Sequence, residues 1–261
     1  MNALDELFQR KKKNVLAVYF TAGFPKLNDT NSIIENLSAA GADIIEIGMP
    51  FSDPLADGPV IQESSRVALE NGMNLKLLFD QLKHLSLVPC PAPLVLMGYL
   101  NPVLQFGMDN FLAHCKACGI SGVILPDLPM EVYEAEYKIK FENAGVHFIF
   151  LVTPNSPEAR VRKMASLSKG FLYLVSSAST TGGNNSFTEE QLSRLKKVSA
   201  YELNIPLLTG FGIHNRETFL AASSFSNGAV TGTAFIKCLQ KNANESSATA
   251  FVSGITGNSL Y

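Results

Sequence analysis

Eight short apolar runs, each followed by a longer amphipathic segment, organise this chain of 261 residues. The runs are Val15–Phe20, Asp43–Gly48, Pro93–Gly98, Gly122–Leu125, Val146–Val152, Phe171–Ser176, Ile205–Thr209 and Ala229–Gly232. Their residues are nearly all apolar instead of alternating with polar ones, the pattern of parallel strands covered on both faces. Parallel neighbours need a long crossover, which the amphipathic segments supply as helices. Eight such units with no Ser/Gly-rich linker and no break in composition predict an α/β fold: a single (β/α)8 TIM barrel over residues 1–261, with an extra N-terminal helix. An open doubly wound sheet would carry G-x-G-x-x-G after its first strand, and Gly23-Phe24-Pro25 does not supply it.

Helix ends are legible as well. Asn28-Asp29-Thr30 predicts a capped start for a helix through Ala40 that Gly41 stops, and Asn155-Ser156-Pro157-Glu158 predicts another start. The Arg10–Lys13 run reads as a solvated, cationic helix end. Charge balances at 21 Lys and Arg against 23 Asp and Glu, a net of −2, which argues against a general nucleic-acid or membrane-surface binder. Asp5, Glu6 and the basic run precede any apolar stretch, the reverse of a secretory signal. The uncharged stretch Leu85–Met108 carries Pro89, Pro91, Pro93 and Pro102, so it cannot be one continuous membrane helix. The expectation is a cytoplasmic protein with reduced thiols. Cys115-Lys116-Ala117-Cys118 matches C-x-x-C but falls inside a predicted helix without a second pair, and no metal site is expected.

In a barrel the chemistry belongs at the C-terminal strand ends. Glu46 interrupts the apolar run Ile44-Ile45-Glu46-Ile47-Gly48 two residues before it ends. Alternation puts Ile45 and Ile47 on one face and Glu46 on the other with Ile44. If Ile45 and Ile47 meet the helices, Glu46 points into the barrel mouth. There an unpartnered carboxyl would hold its proton to near neutrality; a structural Glu bonded to a neighbouring strand or a lysine is the competing reading. The proline-stiffened loop that follows presents Asp53 and Asp57. Asp53 suits a turn, whereas Asp57 sits just before a helix beginning near Pro59. Ser179-Thr180-Thr181-Gly182-Gly183, Gly210-Phe211-Gly212-Ile213 and Gly232-Thr233-Ala234 follow the sixth, seventh and eighth runs. Glycine loops on one rim, with a helix start after the eighth, favour a phosphate monoester. Tyr19, Tyr99 and Tyr173 each lie in or just after a run, to line the mouth or to pack.

The passage from Glu46 to Pro59, with Phe51-Ser52-Asp53-Pro54-Leu55-Ala56-Asp57-Gly58-Pro59 at its heart, resembles the signature of the tryptophan synthase alpha chain. The resemblance runs through essentially the whole sequence. It includes Phe20-Thr21-Ala22-Gly23, Met97-Gly98-Tyr99-Leu100-Asn101-Pro102, Pro126-Asp127-Leu128-Pro129 and the Gly210–Ile213 and Gly232–Thr233 loops. It implies cleavage of indole-3-glycerol phosphate to indole and glyceraldehyde 3-phosphate, without metal or organic cofactor. Glu46 is then the acid/base, Asp57 the acceptor of the ring N–H, and Tyr173 a residue that positions substrate beside Glu46. Tyr19, Ile61, Tyr99, Ile124 and Val230 match walls around the indole ring. Thr181, Gly182, Gly212, Ile213, Gly232 and Thr233 match the substrate and phosphate loops. Ser177 and Ser179 stand where many relatives have arginine and glycine, in a loop that closes over substrate. The resemblance also implies a tryptophan synthase beta chain as partner in an α2β2 heterotetramer, docked near Pro50–Pro54, with pyridoxal phosphate only in that partner. Two alternatives follow the same residues: a non-catalytic, phosphate-sensing regulatory subunit of the beta chain, and a free-standing lyase that releases indole.

Overall fold

The computed structural model describes residues 1–85, 90–175, 188–210 and 212–257. Strands β1 (Val15–Thr21), β2 (Ile44–Gly48), β3 (Leu94–Met97), β4 (Ile120–Ile124), β5 (His147–Phe148), β6 (Leu151–Val152), β7 (Leu172–Val175), β8 (Leu207–Gly210) and β9 (Gly228–Thr231) form one parallel sheet. Its order is β5-β4-β3-β2-β1-β9-β8-β7-β6. The two end strands are halves of a single run, so the sheet closes on itself. Val146–Val152 was expected as one strand and is two. Its first half pairs with β4, and the Ile149 N–H reaches Val123 O; its second half pairs with β7, and the Tyr173 N–H reaches Phe150 O. Serving two neighbours in succession breaks the run while completing the barrel of eight staves.

Burial sorts each strand by alternate residues. Val15, Ala17, Ile44, Val95, Ile124, Ile149, Tyr173, Leu208 and Val230 pack together inside the barrel. Leu16, Val18, Phe20, Ile45, Ile47, Leu96 and Val123 pack outward against the helices. This is why the runs read as continuously apolar: both faces are covered.

Helix α1 (Ala3–Arg10) contributes Leu4, Leu7 and Phe8 to the inner cluster. Side-chain atoms of Leu4 lie where Gly122 and Gly170 leave space at the barrel floor. The Asn2 side chain accepts from the Leu4 N–H and donates to the carbonyls of Ser121 and Gly145, and the Asp5 carboxylate lies 2.9 Å from His147 Nε2. The basic run after α1 is not simply solvated. Lys11 pairs with Asp43 at 2.6 Å, Asp43 also accepts from the Leu16 N–H, and Lys13 donates to Ser226 O. Helix α1 thus plugs the floor, and the opposite end, where the strands finish, is left for chemistry.

The crossovers comprise α2 (Thr30–Ala39), α3 (Pro59–Glu70), α4 (Leu75–Leu85), α5 (Leu100–Phe106), α6 (Met108–Ala117), α7 (Met130–Val132), a π-helical turn Tyr133–Tyr137, α8 (Lys138–Ala144), α9 (Glu158–Leu167), α10 (Glu189–Ser199) and α11 (Arg216–Phe225), and α12 (Thr233–Lys241) comes after the last strand. Helix α13 (Glu245–Thr256) follows and packs on α2. Two expected caps differ. The Asp29 side chain makes no cap bond at α2, and Thr30 Oγ1 accepts the Gly23 N–H of the β1 loop. Ahead of α9, Ser156 turns back to Thr153, leaving Pro157 at the cap position. Cys115 and Cys118 are buried in the outer apolar layer, where burial pushes both thiols up, away from the thiolate form.

If α1 is the floor of the barrel, Leu4→Ala should destabilise the fold by about 2–5 kcal/mol, the range for large-to-small changes in a packed core. Urea unfolding measures this. A loss under ~1 kcal/mol would make α1 a loose appendage.

Candidate active site

Strand β2 delivers Glu46 in register between Tyr19 of β1 and Val95 of β3. Its neighbours Ile45 and Ile47 belong to the outer layer and Ile44 to the inner one, so the carboxyl group is inside the barrel, on the face expected. Glu46 is 0% exposed, and among the described residues neither carboxyl oxygen has a hydrogen-bond partner. Burial pushes its pKa up to about 8. The competing expectation of a structural Glu bonded to a neighbouring strand or a lysine is not met, because no described residue bonds either oxygen.

Two tyrosines flank this group, and glycines make room for them. Any Cβ at Gly48 would collide with the Tyr19 hydroxyl, and any Cβ at Gly210 would collide with the Tyr173 ring. Gly232, at the start of α12, also lies against the Tyr19 ring. These rim glycines therefore serve close ring packing, a role their sequence loops did not disclose. Burial, then the nearby acids Asp57 and Glu46, hold Tyr19 well above its ordinary pKa. Burial, then Glu46 and Asp57, do the same at Tyr173. Both phenols stay protonated donors.

Asp57 ends the β2 loop one residue ahead of Gly58, the cap of α3. Burial raises its pKa, and a hydrogen bond from Tyr99, 2.9 Å from Oδ2, pulls it back down. Tyr19, Met49, Asp57, Ser65, Met97, Gly98, Tyr99 and Pro126 enclose a space of about 10 Å³. That holds roughly one water molecule, so a bicyclic ring enters only when these side chains part.

The other predicted positions fall around this centre. Ile124 and Val230 line the barrel interior with Tyr173. Ile61, in the first turn of α3, is buried in the outer apolar layer. Gly212 and Ile213 follow β8, and Thr231 Oγ1 donates to Ile213 O, fastening that loop to β9. Gly232 caps α12 and Thr233 opens it, so the first amides of that helix have no intrahelical partner. Thr181 and Gly182, with Ser177 and Ser179, lie outside the described residues. Among the described residues no group of three His, Cys, Asp or Glu side chains is placed to hold a metal ion.

Sequence reasoning missed the hydroxyls behind Tyr19. Ser64 Oγ donates to Ile61 O at 2.8 Å, so the 2.7 Å contact with Thr21 Oγ1 has Thr21 as donor. Thr21 Oγ1 is in turn 3.4 Å from the Tyr19 hydroxyl. The available signal was Ser64-Ser65, two hydroxyls in the otherwise apolar stripe Ile61 to Ala68 of α3.

A family model described as tryptophan synthase alpha chain matches residues 6–254. The tryptophan synthase alpha chain of Flavobacterium psychrophilum is 50% identical over 255 residues, 98% of this chain and 100% of that protein. That of Parabacteroides distasonis is 46% identical, over 95% of this chain and 96% of its own. Among solved structures, a tryptophan synthase alpha chain from Legionella pneumophila subsp. pneumophila matches with TM-score 0.87 at 29% identity, covering 98% and 97% of the two chains. A chain of the tryptophan synthase complex from Pyrococcus furiosus matches with TM-score 0.84 at 32% identity, covering 95% and 100%.

The unpartnered carboxyl has a signature in stability. A buried acid whose folded pKa is raised makes the native state bind more protons than the unfolded one, so its cost grows as pH rises from about 4.5 to about 8. Glu46→Gln should therefore stabilise the protein by ~2 kcal/mol or more at pH 8 and by far less at pH 5. Denaturant titrations at the two pH values measure it. A variant equally or less stable than wild type at pH 8 contradicts the buried, unpaired state.

Proposed function

The chain belongs to the tryptophan synthase alpha chain family, and from that premise we infer that it cleaves indole-3-glycerol phosphate to indole and glyceraldehyde 3-phosphate. The observation that carries this reading is Glu46: a fully buried carboxyl group inside the barrel, its pKa pushed up by that burial, sharing its space with Asp57 and Tyr173. The reaction needs a proton delivered to indole C3 and another removed from the hydroxyl next to the breaking C–C bond. Glu46 donates the first and, once ionised, accepts the second as the hydroxyl carbon becomes a carbonyl; the acid is regenerated. A group titrating near neutrality suits both roles.

Protonation at C3 puts positive charge on the ring nitrogen. Asp57, kept toward its ionised form by Tyr99, accepts the ring N–H and interacts most strongly as that charge grows. Tyr173, packed over Gly210, orients substrate beside Glu46. Tyr19, Tyr99, Ile61, Ile124 and Val230 supply apolar walls. The phosphate is held by main-chain amides at Gly212, Ile213, Gly232 and Thr233, where α12 begins, together with Thr181 and Gly182. Proton transfer completes the chemistry, so in this reading the chain takes no metal or organic cofactor.

The chain works as the alpha subunit of a tryptophan synthase, with the beta chain as partner in an α2β2 assembly and pyridoxal phosphate in that partner alone. The β2 loop supports this: Leu55 is 91% exposed beside Pro54, an apolar side chain that a partner would cover. No described helix is long and apolar enough to cross a membrane, and we assign the enzyme to the cytoplasm as a biosynthetic protein.

The test is indole release from indole-3-glycerol phosphate, alone and with a beta chain. Wild type should release indole, with kcat/KM falling above a pKa near 8 as Glu46 loses its proton. Glu46→Gln should lower kcat by roughly 100-fold or more while keeping substrate affinity. Undiminished release by Glu46→Gln would overturn the acid/base assignment. A wild-type chain silent with and without its partner would favour the regulatory alternative.

A further inference from the structure

One tyrosine ties together the loops that follow β2 and β3. Tyr99 is the N-cap residue of α5. Its hydroxyl accepts the Ala56 N–H at 3.0 Å and lies 2.9 Å from Asp57 Oδ2. An amide N–H can only donate, so the phenol oxygen is the acceptor at Ala56, and its own proton is left for Asp57. At the start of the same loop, the Phe51 ring lies 5.2 Å from the Tyr99 ring between centroids, tilted 31°. The β2 loop is thus wrapped around Tyr99. From the other side, both carboxylate oxygens of Asp127, in the loop after β4, accept the Leu100 N–H at 2.9 and 3.1 Å. The tyrosine is therefore braced by a neighbouring loop while it holds the acid.

We propose that Tyr99 is a positioning residue for Asp57: its hydroxyl fixes one carboxylate oxygen so that the other faces the space where the ring N–H docks. The inference rests on the assignment of Asp57 as acceptor of that N–H. Tyr99 does more than wall the pocket. Burial opposes charge on Asp57, and among the described residues Tyr99 is the side chain that donates to it. An oriented donor also prevents the carboxylate from turning its second oxygen away from the ring.

Tyr99→Phe tests this, because it keeps the ring and its contact with Phe51 and removes only the hydroxyl. In the full chain, kcat/KM for indole release should fall roughly 10- to 100-fold, the scale of a lost hydrogen bond to a charged group. Most of the loss should sit in kcat, since the nitrogen charge grows only in the transition state. The acid limb of the pH profile should move to higher pH, because Asp57 has lost the donor that favours its charged form. Asp57→Asn sets the baseline: it should lose activity, and adding Tyr99→Phe to it should cost little more. A Tyr99→Phe loss that is equal at every pH, or that is as large in the Asp57→Asn background, overturns the positioning role. Full indole release by Asp57→Asn overturns the assignment of Asp57 instead, so the two failures are told apart.

Discussion

The barrel keeps the Glu46 carboxyl entirely out of water, and among the described residues none offers either of its oxygens a hydrogen bond. Left ionised, such a group would cost several kcal/mol, so it holds its proton instead. That constraint shapes what surrounds it. Tyr19 and Tyr173 crowd the same space as neutral phenols, and the strand ends beside them carry Gly48 and Gly210 because no side chain could stand there. A charged partner for Glu46 would favour the ionised carboxylate and cancel the rise that burial imposes.

The two ends of the barrel answer to this division. At the floor, α1 inserts Leu4, Leu7 and Phe8 and fastens itself through Asn2, Asp5 and Lys11, so that end is packed and polar groups there are paired. At the rim, polar groups are held in graded states. Tyr99 opposes the effect of burial at Asp57, Tyr19 backs onto Thr21 and Ser64, and no described residue bonds Glu46. Burial raises the pKa of both carboxyls, and at Asp57 the Tyr99 hydrogen bond opposes that rise, so the two acids of one pocket are tuned apart by their surroundings.

Much of this was legible from spacing. Parallel, doubly covered strands announce themselves as apolar runs, and the alternation Ile45-Glu46-Ile47 assigns Glu46 to the inner face once the helices are placed outside. Three features were not legible, each for a physical reason. The run Val146–Val152 divides because it pairs with different neighbours in succession, a property of closure and not of its residues. Lys11 looks like part of a solvated end until a tertiary contact with Asp43 claims it, and Ser156 looks like a cap until a local turn bonds it back to Thr153. The hydroxyl string from Tyr19 to Ser64 joins residues 45 positions apart, and only the packing of α3 on β1 brings them together. Family resemblance supplied the roles proposed for Asp57 and Tyr173, and the structure supplied the hydrogen bond that joins Tyr99 to the first.

The most direct measurement of the central claim is a site-resolved titration of the Glu46 side-chain carboxyl by carbon-detected NMR, assigned with Glu46→Gln. A single protonation step centred near 8 is expected. A midpoint near the ordinary carboxylate value of about 4.5 would mean that the group is solvated or paired, and the proton needed at indole C3 would have to come from elsewhere.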